Sequence, residues 1–276
     1  MPILDRIRRS AGSTAPAEGE EQLGGAMSFL EHLEELRRRI FYSLVGIIVG
    51  FFVCFYYHNA IYNAMDRPLV KALAAHHQTL KLIYLNPIDP FNLYVKLALV
   101  AGLFLASPWV LYQVWLFIAP GLYKRERKYI IPFVLLTSAL FISGGIFAYS
   151  FAFPMVLNFL IGYAHQFTAF PEINEYFNLF ATVVLGTGLV FELPILILFL
   201  AIIGVVNSRF LLRNFRYAVL VVFIIAAVIT PTADITTMVV FATPMLLLYI
   251  LSIGLVYLFG RERRQRRKRA EENTGS

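Results

Sequence analysis

The chain has 276 residues, 59% of them hydrophobic and only 15% charged, with a net charge of +7 and a mean hydropathy of +0.69. A soluble domain carries about 25% charged residues; here the few charges gather between long apolar stretches, which is the pattern of an all-α, polytopic membrane protein. The one cysteine, Cys54, lies inside an apolar run, which leaves no disulfide framework and no thiolate metal site, and the basic excess sits at the ends of apolar runs and is not a nucleic-acid signal.

Residues 1–26 are small and polar, cannot bury a core, and read as a disordered segment. From Phe29 the sequence is FLEHLEELRRRI. Phe29, Leu30, Leu33, Leu36 and Ile40 recur at helical spacing, Glu31, Glu34, Glu35 and Arg37–Arg39 take the other face, and Ser28 is the candidate N-cap. This predicts a short amphipathic helix at the membrane surface, leading without a break into a first span over about 40–57. A basic run followed by an apolar one imitates a signal peptide, but no small-residue cleavage site follows, so the helix is read as retained.

Residues 58–92 read as the longest polar connection, an exposed loop with turn signals at Arg67-Pro68 and Asn86-Pro87. His76 and His77 are adjacent, point apart, and make a poor metal pair. The second span runs over about 93–119 and stops at Pro120-Gly121, a tight corner between helices. The corner is followed by LYKRERK, four bases around the single carboxylate of Glu126. An acid held among cations at such a corner is a candidate docking point for a cationic peptide; the plainer reading is that it balances its neighbours.

The third span, from Tyr129 to about Tyr163, is longer than a bilayer needs, which predicts a kink at Pro154. The fourth, about 176–203, contains Glu192 followed by Leu193-Pro194. The fifth, between Arg216 and Pro231, has 14 residues, roughly 21 Å against a hydrocarbon core of roughly 30 Å. The turn TPTAD leads into a sixth span over about 235–259, and residues 260–276 form a basic, then polar, tail. Residues 27–259 thus make one membrane domain.

Of the 24 Lys and Arg, 20 fall on one side of these six spans and four on the other. The positive-inside rule then puts both termini in the cytoplasm, as an even number of spans requires. No HExxH, GxSxG, Walker or GxGxxG pattern occurs, no Ser/His or Cys/His set lies at membrane depth, and no cofactor site is indicated. Two acids lie within or against spans of the second half. A charge at the bilayer centre costs roughly 3 kcal/mol on insertion scales. Glu192 therefore reads as a polar site facing protein or a water-filled cavity. Asp234 is either a cap for the sixth span or a functional group. Glu34 with Arg38, and Glu35 with Arg39, form i,i+4 pairs that support the first helix modestly.

FLEHLEELRRRI, SPWVLYQVWLFIAPGLYKRER, the FELP of the fourth span, and TPTAD followed by FATPM resemble, in this order, the TatC family, the receptor component of the twin-arginine protein translocase. The resemblance runs from about Phe29 to Phe259. It implies a concave six-span receptor in the cytoplasmic membrane that binds twin-arginine signal peptides of folded precursors. It also implies self-association, work with the single-span partners TatA and TatB, and transport driven by the proton-motive force. Carried over by motif, Glu35 and Glu126 would be the signal-binding acids, with Arg37 and Phe117 beside them, and Pro68, Glu192 and Asp234 would serve assembly or transport. Met238 stands where the family often has Gln, Ile250 where it often has Glu, and Asp89 where it often has Glu. A secondary transporter is the competing reading, but no repeat relates the two halves and one buried acid is thin for an ion path. An intramembrane enzyme lacks any catalytic set.

Overall fold

A computed structural model describes residues 29–75, 82–118, 130–163, 171–230 and 234–274. The chain divides into two units, Met1–Arg38 and Arg39–Ser276. The corner at 119–129, with Glu126, lies outside the described residues, as do residues 1–28, His76, His77 and Pro231–Ala233.

The amphipathic run and first span form one helix, α1 (Phe29–Tyr56), as its unbroken apolar periodicity requires. The expected loop after it is corrected: His58–Ala75 is a helix, α2, with Pro68 inside it. Met65, Pro68, Leu69, Ala72 and Leu73 are buried along it. That spacing is an apolar helical stripe, and packing of the stripe outweighs the breaker signal of the proline.

α3 (Asp89–Ile118) begins four residues before the expected second span. The Asp89 carboxylate reaches back to accept the Asn86 amide at 2.8 Å, while the Asp89 amide donates to the Asn86 carbonyl. This is the acid half of a capping box, and it starts the helix early.

The third span is α4 (Ile130–Phe147), a π-helical turn over Ala148–Ala152, and α5 (Phe153–Tyr163). The irregularity expected at Pro154 takes the form of that turn: Pro154 has no amide for the Ser150 carbonyl, and the wider turn absorbs the misfit. The fourth span is two helices, α6 (Ile173–Val190) and α7 (Leu193–Ile202), broken at Phe191-Glu192. A short α8 (Ser208–Arg213), capped by the Asn207 side chain, precedes α9 (Phe215–Ile229). α9 has 15 residues, roughly 22 Å. α10 (Ile235–Thr274) runs on without interruption through the basic stretch expected to be a separate tail.

Among the described residues, five helical stretches are long and apolar enough to cross a membrane, and α9 is a shorter apolar helix. The one described extended contact is a parallel bridge between Ile83 and Glu172. The buried core has two parts. The larger gathers Leu69, Leu73, Leu93, Phe153, Val156 and Val183. The smaller centres on Trp115, whose indole stacks on Phe133 at 4.8 Å and meets the edge of Phe199 at 5.6 Å.

Candidate functional site

The described residues expected to matter are spread along the chain: Glu35 and Arg37 on α1, Pro68 on α2, Phe117 on α3, Glu192 ahead of α7 and Asp234 ahead of α10. Glu35 is nearly buried, with 9% of its surface exposed, although it lies in the charged first third of α1; Arg37 is exposed. Phe117 lies half-buried in the last turn of α3.

Four residues before Phe117 is Gln113, 3% exposed, which accepts a hydrogen bond from the Arg39 guanidinium at 3.2 Å. Sequence reasoning missed this pair. The signal was present: Gln113 is the one amide side chain in the apolar run between Trp109 and Ile118. The same seam between α1 and α3 holds the Trp109 indole N–H, which donates to the Tyr42 carbonyl at 2.9 Å. It also holds Gly46, against Trp109, and Gly50, against the Gly102 carbonyl. Here Gly46 and Gly50 are spaced four apart, as in a small-residue helix contact.

Glu192 sits at the break between α6 and α7, and Pro194 gives the Val190 carbonyl no amide. Its Oε1 is buried without a hydrogen-bond partner among the described residues, and so is Oγ1 of Thr187, one turn earlier. The break is packed closely: a Cβ on Gly144 would meet Phe191 and Gly188 at 2.8–2.9 Å, and Phe191 lies against Phe147. The arrangement is a carboxyl and a hydroxyl held in apolar surroundings with bonding capacity in hand, which suits a polar group brought by another helix.

Pro68 is buried and touches the core, not the surroundings. Beside it, the Tyr149 hydroxyl donates to the Ala64 carbonyl and the Tyr176 hydroxyl to the Met65 carbonyl, each at 2.7 Å. Burial pushes the carboxyl of nearby Asp66 above the usual carboxylate range. Asp234 caps α10: its carboxylate accepts the Thr237 amide at 2.7 Å and the Thr237 hydroxyl at 2.5 Å, so the capping reading of this residue holds. Met238, one residue on, donates its amide to the Asp234 carbonyl at 3.2 Å.

The sequence matches the family described as Sec-independent protein translocase protein (TatC) over residues 31–244. The chain belongs to the TatC family. A TatC protein of Koribacter versatilis is 58% identical over 253 residues, covering 92% of this chain and 93% of its own. One from Aquifex aeolicus is 34% identical over 245 residues, covering 88% of this chain and 100% of its own. A crystal structure described as the twin arginine translocase receptor TatC in DDM is similar at a TM-score of 0.72 and 34% identity, covering 82% of this chain and 99% of that one. This chain is therefore an integral membrane protein with the TatC fold, a component of the Sec-independent, twin-arginine protein translocase. Its family is one of transporters, not of enzymes.

Proposed function

We propose that the chain binds twin-arginine signal peptides of folded precursors on the cytoplasmic side of the inner membrane. It then organises TatA- and TatB-type single-span partners, and further copies of itself, for export driven by the proton-motive force. Glu126 and Glu35 take the two arginines, with Arg37 and Phe117 beside them; Pro68, Glu192 and Asp234 serve assembly and transport. The observation that carries this reading is Glu35, a carboxylate shielded to 9% exposure in a charged helical segment where its neighbours Glu34 and Arg37 are open. A shielded carboxylate discriminates the planar fork of arginine from lysine better than an open one. Crosslinking to a twin-arginine precursor, compared with its twin-lysine form, tests it. Strong crosslinking of the first and loss of the second is expected, and equal crosslinking of both refutes the reading.

The orientation follows from the 20-to-4 division of basic residues. In a Cys54→Ala background, His77→Cys should react with an impermeant thiol reagent from outside the cell. Reaction from the cytoplasmic side alone would reverse the topology.

Glu192 lies too deep for arginine heads, which prefer the membrane surface. Its role is a polar contact to a partner's span. Glu192→Ala should lower export severalfold and leave precursor binding nearly unchanged. Loss of binding at normal protein level would assign Glu192 to the signal site instead.

A further inference from the structure

We propose that Pro68, Tyr149 and Tyr176 form one positioning unit, in which the proline frees an acceptor that Tyr149 uses and the two tyrosines together hold α2 in place.

In a regular helix the Ala64 carbonyl receives the amide of the residue four positions later. That residue is Pro68, which has no N–H, so the Ala64 carbonyl is left without its helical donor. The Tyr149 hydroxyl donates to this carbonyl at 2.7 Å. The Tyr176 hydroxyl takes the next carbonyl, that of Met65, at 2.7 Å. The surroundings are apolar: Met65 is 1% exposed and Tyr176 4%. There, a carbonyl without a donor and a hydroxyl without an acceptor are both costly, and each resolves the other.

The second irregularity of the fold supplies the donor. Tyr149 is the second residue of the π turn Ala148–Ala152. One extra residue per turn rotates the flanking side chains by roughly 100° relative to a continuous α-helix. Pro154, which goes with the π turn, and Pro68, which frees the carbonyl, thus meet in one hydrogen bond. Tyr176 comes from the first turn of a different helix, α6. α2 is therefore pinned from two helices through adjacent carbonyls, which fixes both its position along its axis and its rotation.

Pro68 is buried, so it does not itself present a surface to a partner. Its contribution to export, which rests on the function proposed above, runs through the placement of α2. That helix carries Arg67, Val70 and Lys71 on its exposed side.

The experiment is hydrogen exchange of the α2 amides in the full chain in nanodiscs, for the parent, Tyr149→Phe, Pro68→Ala and the double variant. Tyr149→Phe should accelerate exchange about tenfold, the effect of one lost hydrogen bond. In Pro68→Ala the alanine amide at position 68 refills the Ala64 carbonyl. Adding Tyr149→Phe to that background should then change exchange little. The same acceleration by Tyr149→Phe in both backgrounds would overturn the coupling. Export of a twin-arginine precursor should fall with the accelerated exchange in Tyr149→Phe, and unimpaired export would overturn the positioning role. The exchange measurement needs no precursor. A parent chain that bound none would refute the proposed function and leave the Pro68–Tyr149 coupling standing.

Discussion

Membranes carrying Glu126→Ala are expected to lose recognition of the arginine pair altogether, and those carrying Glu35→Ala to show it weakened. A charge-assisted hydrogen bond contributes about 1.5 to 3 kcal/mol when partly shielded, and an exposed ion pair only about 0 to 1 kcal/mol. Two shielded contacts give roughly 3 to 6 kcal/mol, and about 4 kcal/mol corresponds to a millimolar dissociation constant. The two carboxylates therefore select a signal but do not hold it. The remainder must come from apolar contact with the signal's hydrophobic segment, for which the half-buried ring of Phe117 is available. It follows that a more hydrophobic signal should partly rescue either variant. Precursor binding to membranes of each variant is the measurement. Undiminished binding of the twin-arginine precursor by Glu126→Ala would remove this site assignment.

The second large effect is expected at a glycine. A Cβ on Gly102 would lie 2.7 Å from the Phe51 amide nitrogen and 2.9 Å from the Gly50 carbonyl carbon and the Phe51 Cα. These are backbone atoms and cannot rotate away, so the two helices must separate. Gly102→Leu should then destabilise the folded protein by about 3 kcal/mol or more, the upper range for overpacking. The separation would strain the Trp109–Tyr42 and Arg39–Gln113 hydrogen bonds of the same seam. Gly254→Leu is the control, because nothing lies within 4 Å of a Cβ there. Thermal unfolding in detergent should show the first variant far below the parent and the second near it. Equal midpoints for the two would mean that the seam is not a close contact.

Six spans, the end of α1 near Tyr57 and the short α9 were legible because each is a statement about hydrophobic length, which the bilayer makes demanding. α2 was misread for an identifiable reason. Pro68 and several polar residues suggest a loop, and the stripe Met65, Leu69, Ala72, Leu73 is short enough to be passed over. The carbonyl that Pro68 leaves without a helical donor is met by a hydroxyl from Tyr149, eighty-five residues away from Ala64, and no local pattern contains it. The break at Glu192 was half legible: the proline marked it, but the unmet hydroxyl of Thr187 depends on what its neighbours fail to offer. For Asp234 the Thr237 contacts make the cap explicit, while its part in transport rests on the sequence motif. Glu126, on which the recognition argument leans most, rests on the sequence motif and on membership of the family.

The sparse attachment of α1 has a bearing on how the protein is made. Only 11% of its apolar window is buried, and from Arg39 onward it is fixed to α3 at a glycine notch, an indole and an arginine. α1 leaves the ribosome before α3, and Gly102, Trp109 and Gln113 are synthesised only after α2 and the stretch following it. For that interval α1 must persist as a solitary span solvated by lipid. Its continuous apolar surface is what such a waiting state demands. The notch at Gly46 and Gly50 costs little lipid contact while empty and is ready when α3 arrives. Insertion and docking of this helix are thus separable events in biogenesis, and a lesion at the notch should leave α1 in the membrane but unassembled.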